Sequence, residues 1–258
     1  MPLDRRMAFA RLCAAAASLG SRGLHTAGSV LFPADCLVCA DALERPLAGP
    51  LCTSCIAGFP RIEPPYCPRC GIPYPRGVAP GVCGPCRSPR RRFRRARAAL
   101  VYGDDVRRAL HALKFGGRER VASVLGRVAA LNLCGPHGLH GYAAVVPVPL
   151  SRGRRRARGF NQAERIARVV APVVGSPLRG RLLMKRGDPP PQAGLSRAGR
   201  RRNAHHAYRA RVPRALAGAS VLLVDDVMTT GATAEAATRA LLGAGIGSVD
   251  VLTVARVP

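Results

Sequence analysis

Asp225 and Asp226 stand side by side, and Thr229-Thr230-Gly231-Ala232-Thr233 follows within three residues. Adjacent carboxylates can hold sugar hydroxyls, or a Mg²⁺ ion directly or through water. Hydroxyls beside a glycine that lets the backbone approach closely can hold a phosphate, best where a helix N-terminus offers its free N–H groups. The order of parts therefore suits a sugar phosphate. Such a turn needs a strand before it and a helix after it. Val221 to Val224 supplies four apolar residues in a row, as expected of a strand covered on both faces, and Ala234 to Leu242 is rich in Ala, Leu and Glu. A Walker loop would need a lysine after its second glycine, and none occurs beyond Lys185.

A second chemistry is carried by sulfur. Eight of the 10 cysteines form four Cys-x-x-Cys pairs, Cys36/Cys39, Cys52/Cys55, Cys67/Cys70 and Cys83/Cys86. Thiolates two residues apart chelate one ion easily, so metal is preferred over disulfides, and a reducing cytoplasm follows. Neighbouring pairs make two zinc-ribbon-like units, Cys36, Cys39, Cys52 and Cys55 on one Zn²⁺ and Cys67, Cys70, Cys83 and Cys86 on another. Closed four-thiolate sites leave no position for water, so these ions are expected to hold the fold. Spacing alone also permits an interleaved pairing, and an iron–sulfur or redox use of the thiols is the weaker alternative.

A third constellation is basic. Tyr142 to Leu150 is a strand ending in prolines, and Ser151 to Gln162, with Arg154, Arg155 and Arg158, is expected as an anion-binding loop before a helix over Ala163 to Val170. In an open α/β sheet, loops at the carboxyl ends of neighbouring strands converge on one crevice, so the two anion sites can share a ligand. Further strands are expected at Ala98 to Tyr102 and Ser248 to Ala255, with helices over Asp105 to Leu113 and Arg120 to Leu133. Lys114, beside Gly116 and Gly117, is a candidate contact for an anion.

The stretch Val221 to Thr233 resembles the phosphoribosyl pyrophosphate (PRPP) loop of type I phosphoribosyltransferases. Taken with the cysteine-rich start, Val-Pro-Val-Pro before Arg158-Gly-Phe-Asn-Gln162, and a later Gln192-x-x-Leu195 with Asn203, most of the chain resembles the ComF family (ComF/GntX, ComFC-like). These are double zinc ribbon, phosphoribosyltransferase-like proteins linked in many bacteria to DNA uptake in natural competence. The resemblance implies PRPP binding with Mg²⁺ through Asp225, Asp226, Thr229, Thr230, Gly231, Ala232 and Thr233. It implies a pyrophosphate role for the cluster Arg154, Arg155 and Arg158, and catalytic roles for Asp225 and Asp226. It also implies a flexible loop over the proline-broken stretch from Met184 to Arg214, and DNA-uptake machinery as a partner.

The implied fold is α/β, a parallel phosphoribosyltransferase-like sheet flanked by helices. Its expected organisation is a lead-in over 1–33, a double zinc ribbon with basic linker over 34–96, and the phosphoribosyltransferase-like domain over 97–258. Lys+Arg 41 against Asp+Glu 14 gives a net charge of +27, which favours phosphorylated partners, single-stranded DNA among them. Only Lys114 and Lys185 are lysines, so an arginine-coded surface explains part of that excess. Arg90 to Arg97 holds six arginines around Phe93 and reads either as a solvated linker or as a track for nucleic acid. The absence of Trp, with five Tyr and six Phe, leaves DNA affinity mainly electrostatic. No apolar run approaches the ~20 residues of a membrane span, and no acceptor for a phosphoribosyl group can be named.

Overall fold

A computed structural model describes residues 35–44, 49–89, 91–115, 118–131, 141–187 and 207–258. The expected lead-in over 1–33, Gly116 and Gly117, and the motif residues Gln192, Leu195 and Asn203 lie outside the described residues. Four parallel strands, β1 (Ala96–Val101), β2 (Ala144–Pro147), β5 (Ser220–Met228) and β6 (Ser248–Arg256), form one sheet in the order β1-β6-β5-β2. A short antiparallel pair, β3 (Leu183–Lys185) and β4 (Tyr208–Ala210), stands apart from it.

Strand alternation divides the core in two. Leu222 and Val224 of β5, with Leu252 and Val254 of β6, face α3 (Asp104–Phe115), α4 (Arg120–Leu131) and α6 (Gln162–Val173). Val221 and Leu223, with Val249 and Val251, face α7 (Ala232–Gly243) and the β3–β4 pair. All eight strand residues are fully buried, so the apolar run of β5 is covered on both faces as its sequence requires.

The cysteine-rich segment supplies two ribbons, and they part company at the sheet. The first, with α1 (Thr53–Gly58), packs Cys36, Val38, Leu51 and Phe59 into the core under α3 and α4. The second, with α2 (Gly84–Arg87), packs Cys67, Cys70, Cys86 and Phe93 into the opposite core. Gly71 makes this possible. Its φ is +67°, and a Cβ there would lie 2.8 Å from the carbonyl oxygen of Ala96, the first residue of β1.

The arginine run between ribbon and sheet is a buckle. Asp250, fully buried on β6, accepts from Arg94 Nε and Nη2 (3.0 and 2.7 Å), from the Arg95 backbone and guanidinium (3.1 and 3.3 Å), and from the Tyr142 hydroxyl (2.8 Å). Arg97 donates to the carbonyls of Pro68 and Ala96 and lies over the Tyr66 ring. Phe93 is fully buried and is no platform for a base. Arg94, Arg95 and Arg97 thus do more than a solvated linker would, because a buried carboxylate and backbone carbonyls take up part of their donors, while Arg92 and Arg94 stay exposed.

Candidate phosphate site at the carboxyl edge of the sheet

β5 does not stop at Val224. It continues through both aspartates to Met228, pairing Asp225 with Thr253 and Met228 with Arg256 of β6. Both carboxylates consequently stand at the carboxyl end of a central strand, on the wall of one cleft. Asp225 is half-buried, and its Oδ1 accepts from the backbone N–H of Asp226 (2.9 Å). Burial, reinforced by the charge of Asp226, pushes the Asp225 carboxyl well above the usual carboxylate range. Asp226 is buried and ion-paired to Lys114, which reaches it from the C-terminal turn of α3.

Past Met228 the chain turns through Thr229 and Thr230, both exposed, to Gly231. Gly231 takes φ +81° and is the N-cap of α7. A Cβ there would meet the Arg91 guanidinium at 2.4 Å and Met228 Cε at 2.7 Å. Gly231 has no side chain to cap this helix; the Ala232 N–H donates to Thr230 Oγ1 (3.4 Å), and the N–H groups of the first turn face the pocket where a phosphate could take them. Thr229, Thr230, Gly231, Ala232 and Thr233 surround a small pocket of ≈ 50 Å³ that Asp225 also lines.

The basic stretch after β2 is helical, which the sequence reading of a loop missed. Ser151 is the N-cap of α5 (Arg152–Arg158), and Gly159, at φ +80°, ends it. The motif residues that follow hold this helix in place. Phe160 is buried, Asn161 caps α6 and donates to Val148 O (3.0 Å), and buried Gln162 accepts from Arg158. Helical geometry then divides the arginines. Arg154 and Arg158, four residues apart on one face, line a cleft of ≈ 1510 Å³ with Asp225, Asp226, Thr229, Thr233 and Lys114, while Arg155 does not. Arg158 also lies over the Phe115 ring at 5.3 Å, and its burial lowers its affinity for a proton.

This cleft lies where the carboxyl ends of the strands meet, since Tyr102, Val148, Val227 and Val257 line it as well. The helix after β2 covers one face of the sheet and the helix after β5 the other, so the crevice opens between those two strand ends. Sequence reasoning missed the groups behind the turn. Arg256 donates to the carbonyls of Met228 (3.0 Å) and Thr229, and Arg91 donates to Thr230 O (2.9 Å). An arginine closing the largely apolar last strand was the available signal.

The thiols group in sequence order rather than interleaved. In each set, Cys36/Cys39/Cys52/Cys55 and Cys67/Cys70/Cys83/Cys86, the four sulfurs lie within 4.8 Å of one another. Cys39 and Cys52 sulfurs are 3.8 Å apart, Cys70 and Cys83 3.6 Å. A tetrahedron with Zn–S bonds of ~2.3 Å has edges of ~3.8 Å, so both donor sets fit zinc. Burial disfavours the thiolates of Cys36 and Cys67, but backbone N–H donors outweigh it and bring each to about 6. That prepares each site for a cation.

Comparison with known proteins agrees with this reading. Residues 27–87 match the double zinc ribbon domain family. The DNA utilization protein YhgH of Escherichia coli (strain K12) is 29% identical over 227 residues, 87% of this chain and 97% of that protein. The competence protein ComFC of Bacillus subtilis is 27% identical over 225 residues, 80% and 84% of the two chains. Competence protein F of Haemophilus influenzae is 27% identical over 228 residues, 86% and 96%. The resemblance to the ComF family stands. The ComF-like chain thus joins a double zinc ribbon to a parallel sheet, and among its described residues no helix is long and apolar enough to cross a membrane.

Proposed function

We propose that this chain is a cytoplasmic, phosphoribosyltransferase-like protein that binds PRPP with Mg²⁺ and serves the handling of incoming DNA. One observation carries the proposal: the Asp225/Asp226 pair and the turn from Thr229 to Thr233 share a cleft with Arg154 and Arg158. The start of α7 suits the 5-phosphate, the two aspartates suit the ribose hydroxyls, and the arginine face of α5 suits the pyrophosphate. Mg²⁺, when bound, would neutralise the pyrophosphate, and Asp225 and Asp226 are the acids within reach of it. For transfer, the two carboxylates would also stabilise positive charge building at the anomeric carbon. Lys114 must yield its hold on Asp226 for that carboxylate to take a new partner.

The DNA side of the proposal comes from the names of the relatives and from the basic cleft, where Arg107 and Arg108 continue the arginine surface of α5. PRPP could there be a ligand that tunes single-strand binding rather than a substrate. Phosphoribosyl transfer to an acceptor of nucleotide metabolism is the other use of the same site.

Calorimetric titration of zinc-loaded protein with PRPP and Mg²⁺ tests the site, beside the double substitution Asp225→Ala/Asp226→Ala. Saturable binding that the double variant loses by a hundredfold or more is expected, on the order of the ~2.7 kcal/mol that two lost charged contacts represent. No binding to the folded wild type would leave the sheet as a scaffold and put DNA handling ahead of any PRPP role.

A further inference from the structure

The second zinc ribbon is wired to the phosphate turn. Arg69 lies between the two ligands Cys67 and Cys70, and its guanidinium donates to Cys86 O (3.0 Å) and to Arg91 O (2.5 Å). Arg91 in turn sends Nη2 to Thr230 O (2.9 Å), and its Nη1 occupies the space that a Cβ on Gly231 would need. The next residue continues the contact, since Arg92 N–H donates to Glu235 Oε2 (2.8 Å) in the first turn of α7. Three consecutive bonds therefore run from a cysteine ligand's carbonyl to the turn.

The chemistry of the last bond is directional. A guanidinium that takes the Thr230 carbonyl from outside holds that peptide with its oxygen turned away from the site. Arg256 does the same for Met228 and Thr229 from β6. Carbonyl oxygens repel a phosphate, and the N–H groups attract it, so fixing the carbonyls outward presets the turn for an anion. Arg91 does not line the small pocket inside the turn, which marks it as a group acting through the backbone rather than on the ligand.

We infer that Arg91 is a positioning residue for phosphomonoester binding at the Thr229 to Thr233 turn, and that Arg69 of the second ribbon holds it there. The inference rests on the reading of the turn as a phosphate site. It sets the ribbon a task beyond stability, namely to shape one half of the ligand cleft. The other half is the arginine face of α5, which sits on the helix after β2 rather than beside the ribbon's Arg69 and Arg91, so the two halves should respond differently.

The experiment titrates the zinc-loaded full chain with two probes, ribose 5-phosphate and inorganic pyrophosphate with Mg²⁺. It uses Arg91→Ala, Arg69→Ala, their double variant and Arg91→Lys, with Arg97→Ala as the ribbon-packing control. Arg91→Ala and Arg69→Ala should each weaken ribose 5-phosphate about tenfold and leave pyrophosphate within about twofold. The double variant should lose little more than either single one, because both cut the same connection. Arg91→Lys should recover part of the loss, and Arg97→Ala should change neither probe. Exchange of the Glu235 amide, which donates to Gly231 O (2.9 Å), should quicken about tenfold in ligand-free Arg91→Ala without a matching rise elsewhere.

Equal weakening of both probes would reduce Arg91 to a general structural role and overturn the inference. So would unchanged ribose 5-phosphate affinity in Arg91→Ala, or full additivity in the double variant. A wild type that binds no ribose 5-phosphate would defeat the phosphate reading itself, and the positioning role with it, whatever the exchange at Glu235 showed.

Discussion

The two zinc ribbons have the same ligand spacing and different surroundings. In the first, Cys39 is exposed and Cys52 and Cys55 are half-buried. In the second, Cys67, Cys70 and Cys86 are 0, 2 and 1% exposed, and their neighbours continue into β1, the arginine buckle and the turn from Thr229 to Thr233. Equal chemistry at the metal thus serves unequal purposes. The first ribbon covers a helical face and contributes Leu37 to the cleft wall. The second is built into the sheet's other core, so its loss is a loss of the domain.

Zinc release is the most severe way to break this comparison. Structural zinc contributes on the order of 10–16 kcal/mol to small domains, as much as the ~5–15 kcal/mol that holds a whole domain folded. Chelator added to native protein should take two equivalents in two phases, the first from the exposed ribbon. Cys39→Ser should abolish the fast phase and leave a protein with one zinc and a cooperative thermal transition. Cys86→Ser should yield no soluble folded protein, since it strands buried thiols in the core that α7 closes. A single phase of two equivalents, unchanged by Cys39→Ser, would show that the ribbons are one unit.

The buckle gives a smaller effect. Asp250→Ala removes the acceptor shared by Arg94, Arg95 and the Tyr142 hydroxyl. Removing one partner of a fully buried pair costs ~3–5 kcal/mol, but Arg94 and Arg95 keep 49% and 35% of their side-chain exposure and can turn to water. A loss of about 2–4 kcal/mol in urea unfolding is expected, with Asp250→Asn milder because it keeps an acceptor. The Asp250 carboxyl, although burial opposes its charge, is held below the usual range by Arg94 and Tyr142. Its contribution is therefore present above the ordinary carboxylate value and is lost as pH falls through the lowered one. If Asp250→Ala matched wild type in urea, the linker would be no more than a connection.

Some of this was legible in the chain and some was not. Val221 to Val224 announced a strand covered on both faces, and four Cys-x-x-Cys pairs announced two metal units, because periodicity and chelate spacing are local properties. The extension of β5 through Asp225 and Asp226 was hidden, since acids are poor strand formers and only pairing with β6 keeps them extended. Ser151 to Arg158 concealed a helix for a related reason. Five arginines in seven residues repel one another, yet a serine N-cap, a left-handed Gly159 and the Gln162 contact to Arg158 stabilise the turns. The buckle could not be read at all. Arg94 and Asp250 are 156 residues apart, and nothing local marks a lone aspartate in an apolar strand as the partner of a distant arginine run.

Asp225 sharpens the comparison at the other end of the scale, where the ligand site opposes stability. Its carboxyl is raised because burial and the neighbouring Asp226 disfavour the charged form. Between the ordinary carboxylate value and the raised one, the native state binds more protons than the unfolded chain, so stability falls as pH rises through that window. Asp225→Asn removes the titration. The variant should melt a few degrees above wild type near neutral pH, with the gap closing as the pH is lowered towards the ordinary carboxylate range. A ligand that needs the charged carboxylate reverses the sign: PRPP with Mg²⁺ should release a proton on binding, bind more tightly as pH rises through the same window, and stabilise wild type but not Asp225→Asn. Calorimetry in two buffers of different ionisation enthalpy counts that proton. Binding with no proton release, and a pH-independent difference in melting, would mean that Asp225 is already charged in the free protein and that Lys114 compensates both aspartates rather than Asp226 alone.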